Sequence, residues 1–155
     1  MPRRSAGILL HRRGDDGERE VLLVHPGGPF WARRDAGAWS IPKGEHGDEE
    51  TPLDAARREF SEELGLPLPA GELVTLGEIR QKGGKVVSAW ALEADLDVER
   101  IVSNTFEIEW PPRSGKRATF PEVDRAGWFP LPAAREKLLA AQLPLLDRIA
   151  ELSDG

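Results

Sequence analysis

The chain of 155 residues contains no cysteine, no tyrosine and a single methionine. Without cysteine there is no disulfide, no thiolate metal site and no thiol nucleophile, which fits a reducing compartment. Long apolar runs are also missing, and nothing approaches the ~20 residues that a membrane-crossing helix needs. Two arginines precede Ala6-Gly-Ile-Leu-Leu, but that apolar stretch stops at His11-Arg12-Arg13 without a cleavage-like site. Secretion is therefore not expected, and a cytoplasmic location is. Positive charge is in deficit: 21 Lys and Arg stand against 27 Asp and Glu, a formal net charge of −6. That balance argues against a surface that coats nucleic acid, because nonspecific affinity comes mainly from phosphate neutralisation. A small phosphorylated ligand stays open, since a bound divalent cation reverses the local sign of a carboxylate cluster.

With 39% hydrophobic and 31% charged residues, the composition is that of an ordinary globular protein, and the length predicts one domain over residues 1–155. Ala6 to His11 and Val21 to His25 read as buried strands joined through the turn Gly14 to Gly17, a hairpin. The breaker-rich loop Pro26 to Gly37 follows, then a short strand or edge at Trp39 to Ile41 that Pro42 ends. Thr51 fits a helix N-cap, Pro52 the first helical position and Asp54 the acid of a capping box. Gly65 fits a left-handed C-cap, and Pro67 bars continuation. Two further strands, Leu73 to Gln81 and Val86 to Leu96, flank Gly83-Gly84 as a second hairpin. Residues 97 to 124 read as a long irregular stretch, although Phe106, Ile108 and Trp110 alternate with Glu107 and Glu109. A last strand at Ala126 to Phe129 and helical patterns at Pro132 to Ala141 and Pro144 to Leu152 complete the chain. Strands on both sides of a central helix predict a mixed sheet covered on both faces.

On the predicted central helix, Glu59, Glu62 and Glu63 are spaced i, i+3 and i+4, so their carboxylates crowd one region of its surface. Leu53, Ala56, Phe60 and Leu64 form the apolar stripe, with Glu59 and Glu63 at its edge. By themselves the three acids fit either a solvated face paired with Arg57 and Arg58 or a divalent-cation site. Charged helix faces are common, so the spacing alone favours the first; the second would suit Mg²⁺, which takes octahedral oxygen ligands and is commonly shared between one or two carboxylates and substrate phosphates. His11, His25 and His46 show no ligand spacing, so zinc is not expected; His25, at a strand end, reads as a packing or hydrogen-bonding residue.

The stretch GEHGDEETPLDAARREFSEELGL, Gly44 to Leu66, fits G-x5-E-x7-R-E-U-x-E-E-x-G-U (U apolar) at every specified position. This resembles the Nudix box. The resemblance implies an α/β/α sandwich with a mixed β-sheet between helices, and hydrolysis of a nucleoside diphosphate linked to another group X. It also implies Glu59 and Glu63 as principal metal ligands, Glu62 as holder of a further metal or its waters, and the Gly44 carbonyl as an additional ligand, with Mg²⁺, or else Mn²⁺, as the ion. Arg58 and Glu50 are expected to orient the glutamates by ion pairs. Trp39-Ser-Ile-Pro-Lys-Gly44 resembles the segment that leads into the box in polyphosphate-cleaving members, which makes Lys43 a phosphate contact. Glu122, six residues before Trp128, resembles the fourth carboxylate of many members, as metal ligand or as the base that activates water. Glu107 and Glu109 are second choices.

Marks of individual branches are mostly absent. The dinucleoside polyphosphate branch often carries a tyrosine 16 to 18 residues beyond the box, where this chain has Lys82 at 16 and no tyrosine anywhere. The ADP-ribose branch has proline at 15 beyond, where Gln81 stands. The isomerase branch needs a cysteine. What remains is pyrophosphohydrolysis of nucleoside triphosphates or dinucleoside polyphosphates, with a small-molecule nucleotide as partner and no membrane. The alternatives are a nucleotide-sensing module without catalysis and removal of pyrophosphate from an RNA 5′ end; the retained glutamates disfavour the first and the acidic balance the second. Phe30, Trp31, Arg33 and Lys82 are candidate substrate contacts, the aromatics by stacking and the cations by holding phosphate. Oligomeric state leaves no mark in the sequence.

Overall fold

In the computed structural model, which describes residues 3–152, strand β1 (Arg4–Arg13) runs through the middle of a six-stranded sheet and is buried from Ser5 to His11. It pairs in parallel with β5 (Val86–Glu93) along one edge. Its other edge is divided. The C-terminal end, His11 to Arg13, pairs antiparallel with β2 (Arg19–Pro26), and the N-terminal end, Ser5 to Gly7, pairs antiparallel with β3 (Lys43–Glu45). The sheet continues with β4 (Leu73–Arg80) beside β5 and β8 (Val123–Pro130) beside β2, so the order is β4-β5-β1-β2-β8 and the sheet is mixed, as expected.

Alternation along the central strands sends side chains to two separate cores. Ala6, Ile8, Leu10, Leu22 and Val24 pack with Ala55, Ala56, Phe60 and Leu64 of α1 (Pro52–Leu64). Leu9, Val21 and Leu23 point the other way and pack with Ala134 of α2 (Leu131–Lys137) and Leu145, Leu146 and Ile149 of α3 (Leu143–Ala150). A strand covered on both faces explains why β1 reads as an unbroken apolar run. Helices on both faces make the α/β/α sandwich. Phe60 is fully buried at the centre of the α1 interface, and Phe60→Ala is expected to lower stability by about 3 to 5 kcal/mol, measured as a shifted midpoint in urea unfolding with an unchanged slope.

Three elements depart from the sequence-based expectation. Residues 97 to 124 are not irregular throughout: β6 (Thr105–Glu109) and β7 (Arg117–Pro121) pair antiparallel as a separate two-stranded sheet, with Phe106 and Phe120 facing each other at 6.0 Å. The period-two pattern of Phe106 and Ile108 was thus a strand signal. The segment Trp39 to Ile41 forms only isolated bridges, Val24 with Ser40 and Trp39 with Leu138, and the strand proper begins after Pro42, which has no N–H to give a ladder. Helix α2 ends at Lys137 because Leu138 turns extended (φ −74°, ψ 144°), short of the expected Ala141.

Candidate active site

Helix α1 begins and ends where its sequence directs. Thr51 is extended and its hydroxyl accepts from the Asp54 N–H at 3.1 Å; Gly65 adopts φ 65°, and its N–H donates to the Ser61 carbonyl at 2.8 Å. This registers the acidic edge of α1 beside β3. Gly44 of β3 lies directly against Glu59: a Cβ there would sit 2.0 Å from Glu59 Oε2.

Arg58 organises the exposed part of the cluster. Its Nη1 donates to Glu59 Oε1 at 2.8 Å and to Glu62 Oε2 at 3.0 Å, and its Nε to both oxygens of Glu50 at 3.2 and 3.1 Å, with Nη2 also on Glu50. The hydrogen bonds to Glu50, and then to Glu59, hold the guanidinium charged and raise its pKa, while Arg58 holds the Glu50 carboxyl below its usual range. Arg58 thus pairs with Glu50, Glu59 and Glu62.

Glu63 is different in character. Burial, reinforced by the charges of Glu122 and Glu59, pushes its carboxyl up to about 8; the Lys43 ammonium and a hydrogen bond from the Lys43 backbone oppose the shift. Glu59 is raised too, by burial first, with Arg58 opposing. Lys43 is lowered, by burial and then by the charge of Lys85, against the pull of Glu63, Glu45 and Glu59. One desolvated corner therefore penalises both a carboxylate and an ammonium. It adjoins a cavity of about 240 Å³ lined by Trp31, Ser40, Ile41, Lys43, Glu63 and Glu122 among others. A larger depression, of about 340 Å³ around Leu66, Pro67, Asp97 and Arg100, contains none of these acids.

Glu122 reaches the cavity because the chain is clamped on both sides of it. Its N–H donates to the Asn104 carbonyl at 2.7 Å and its carbonyl accepts from the Gly27 N–H at 2.9 Å. Gly27 has no room for a side chain, since a Cβ would lie 2.0 Å from the Pro121 carbonyl oxygen. The fold thus brings Lys43, Glu63, Glu122 and Trp31 to one cavity, with Glu59 and Gly44 adjoining through Glu63 and β3. Phe30, Arg33 and Lys82 lie outside its lining: Phe30 is 64% exposed and meets Trp110 edge-on at 5.4 Å, Arg33 is exposed in the loop, and Lys82 occupies the turn between β4 and β5. Lys85, which pairs with Glu45 at 3.7 Å and repels Lys43, is nearer the site than Lys82.

Gln142 was not foreseen. It is fully buried; its Oε1 accepts from the Ile41 N–H at 3.0 Å and its Nε2 donates to Ser40 Oγ at 3.0 Å, fixing the segment that leads into Lys43. Its one sequence signal is a lone polar residue inside the apolar run Leu138 to Leu146.

The donors available to a cation here are carboxylate and carbonyl oxygens, the set that suits a hard divalent ion. Among the described residues no three acidic or imidazole side chains already converge at ligand spacing. Arg58 accounts for part of this, because it turns an oxygen of Glu59 and one of Glu62 onto itself. Since Mg²⁺ needs only one or two protein carboxylates and keeps several waters, Glu59 and Glu63 with the Gly44 carbonyl remain a fitting set. No helix among the described residues is long and apolar enough to cross a membrane.

Known proteins agree with this architecture. A Mycobacterium tuberculosis protein named "Putative 8-oxo-dGTP diphosphatase 3" is 42% identical over 62 residues, 40% of this chain and 27% of that protein. An RNA pyrophosphohydrolase of Hahella chejuensis is 41% identical over 66 residues, 40% of this chain and 41% of that protein. The shared segment thus spans well under half of these curated relatives. The solved binary complex of a C. elegans Ap4A hydrolase superposes with a TM-score of 0.64 at 21% identity, covering 94% of this chain and 95% of that one, a likeness of fold. The family model of the NUDIX domain matches residues 1–149, nearly the whole chain. With the box running from β3 through α1 and this match in agreement, the chain belongs to the Nudix family.

Proposed function

We propose that this protein is a Mg²⁺-dependent pyrophosphohydrolase, with Mn²⁺ as an acceptable substitute, that cleaves a phosphoanhydride bond in a nucleoside triphosphate or dinucleoside polyphosphate. The observation that carries this reading is the placement of Glu63, Glu122, Lys43 and Trp31 around one cavity beside Glu59. Bound cations would polarise a phosphoryl oxygen, neutralise leaving-group charge and lower the pKa of a water. Glu59, Glu63 and the Gly44 carbonyl would hold the ion, with Glu62 and Glu122 serving a further one or its waters. Arg58 keeps Glu59 and Glu62 oriented, a reading supported by its hydrogen bonds to both. Lys43 faces substrate phosphate, and Trp31 offers a surface for the base or ribose.

Hydrolysis requires a new bond from water oxygen to phosphorus and rupture of the bond to the bridging oxygen, which leaves with the departing phosphate. The proton of the attacking water needs a carboxylate acceptor, and Glu122 on the cavity wall is our choice. For a triphosphate the products are a nucleoside monophosphate and pyrophosphate.

The test is product-resolved chromatography with nucleoside triphosphates, 8-oxo-dGTP, Ap4A, ADP-ribose and triphosphorylated RNA. Cleavage with Mg²⁺ that disappears in EDTA and returns on adding Mg²⁺ is expected. Tight nucleotide binding without cleavage of any compound would replace the hydrolase by a sensing module, and cleavage of the RNA alone would move the substrate to RNA 5′ ends.

A further inference from the structure

The two walls of the cavity are joined by one buried ring. His25, at the end of β2, is fully buried, with Trp39 packed edge-on against it at 5.3 Å. Its Nδ1 meets Asp124 Oδ1 at 2.7 Å and its Nε2 meets the Arg34 carbonyl at 2.6 Å. One oxygen thus faces each ring nitrogen, a carboxylate at Nδ1 and a backbone carbonyl at Nε2.

Each partner belongs to a segment that delivers a cavity residue. Asp124 is the extra residue where β8 slips against β2: Val123 pairs with Pro26 and Arg125 with His25, leaving Asp124 between them. Such a bulge redirects a side chain, here onto the imidazole. Glu122 lies two residues earlier on the same segment. On the opposite wall, the Arg34 N–H donates to the Trp31 carbonyl at 2.9 Å, so the carbonyl that His25 holds belongs to the turn that presents Trp31. Among the described residues, Arg125 also approaches Asp124 Oδ1, at 3.7 Å, a longer and more exposed contact than the imidazole makes.

We propose that His25 is a positioning residue that sets Glu122 and Trp31 relative to one another across the substrate cavity. The inference rests on the reading of that cavity as a hydrolase site. Besides this ring, the walls are linked by the Gly27 N–H, which donates to the Glu122 carbonyl at 2.9 Å; that bond holds backbone, whereas residues 27 to 37 form no strand and the imidazole ties side-chain and turn geometry together. Asp124 therefore transmits to the carboxylate, and Arg34 to the stacking surface.

Two substitutions separate the arms. The amide nitrogen of His25→Asn takes the place of Nδ1 and keeps the Asp124 contact; that of His25→Gln takes the place of Nε2 and keeps the Arg34 contact. With Mg²⁺ and the substrate cleaved by wild type, His25→Asn is expected to raise KM about tenfold with kcat within about twofold, because the Trp31 turn is released. His25→Gln is expected to lower kcat about 30-fold with KM within about twofold, because a small misplacement of a reacting group is costly. Folded variants that shift both constants alike, or neither, overturn the proposal.

If neither variant folds, or if wild type cuts no nucleotide and the hydrolase reading falls, the contacts are still read by ¹H–¹⁵N NMR of the imidazoles. With three histidines in the chain the assignment is tractable. A slowly exchanging ring N–H signal from His25 that is displaced by Asp124→Ala supports the strut. Absence of a protected ring N–H in the wild type, or a signal unchanged by Asp124→Ala, overturns it.

Discussion

Glu63→Gln is expected to lower kcat by about 10³-fold while the protein stays folded, because on the proposed function it removes a carboxylate charge that would hold the cation. The same substitution should stabilise the metal-free protein. Unfolded, Glu63 releases its proton near 4.5; folded, burial delays that release to about 8. Between those values the folded form holds more protons than the unfolded one, so its stability falls as pH rises, by an amount on the order of 3 to 5 kcal/mol in full. The raised Glu59 acts in the same sense, whereas the lowered Lys43 acts in the opposite one wherever the folded form has released a proton that the unfolded form keeps, so the comparison with Glu63→Gln isolates the contribution of Glu63. Urea unfolding in EDTA from pH 5 to 8 should show the decline in wild type and a flatter line in Glu63→Gln. Parallel lines would mean that Glu63 is not the group responsible. A bound cation reverses the penalty by favouring the ionised carboxylate, so Mg²⁺ should stabilise wild type more at pH 8 than at pH 5.5.

Gly44→Ala is expected to reduce activity about 100-fold with little loss of stability. The added methyl would meet Glu59 Oε2 at 2.0 Å and its carboxyl carbon at 2.1 Å. These atoms end a flexible side chain, so the helix need not move; the carboxylate swings away. Contrast Gly27, where the obstacle is backbone. Weaker Mg²⁺ binding by isothermal titration, with an unfolding midpoint close to wild type, would establish that Gly44 makes room for the ligand. A large fall in stability with unaltered Mg²⁺ affinity would assign the glycine to strand packing instead.

Much of this molecule is written locally. The cap at Thr51, the stop at Gly65 and the i, i+3, i+4 spacing of Glu59, Glu62 and Glu63 depend only on short-range geometry, and α1 forms between those limits. The apolar runs of β1 and β2, and the glycines of the turns after β1 and β4, likewise specify two hairpins and a sheet buried on both faces, since strand period and turn chemistry are properties of neighbouring residues. The box pattern carried the family.

Three features were decided only by the tertiary structure. Pairing of residues 105 to 121 into their own hairpin depends on a partner strand eight residues away and on its stacking over the Gly27-Gly28 loop, where Phe106 lies 2.8 Å from the place of a Gly28 Cβ. Burial of Glu63 and Lys43 in one desolvated corner, which shifts both groups toward neutrality, arises from elements far apart in the chain, and a helical wheel places Glu63 no deeper than Glu59. The joining of Glu122 and Trp31 through His25 spans 99 positions to Asp124 and 9 to Arg34. Periodicity and propensity describe a residue and its near neighbours; desolvation, charge coupling and long-range hydrogen bonds exist only once the sheet has brought distant segments within a few ångströms.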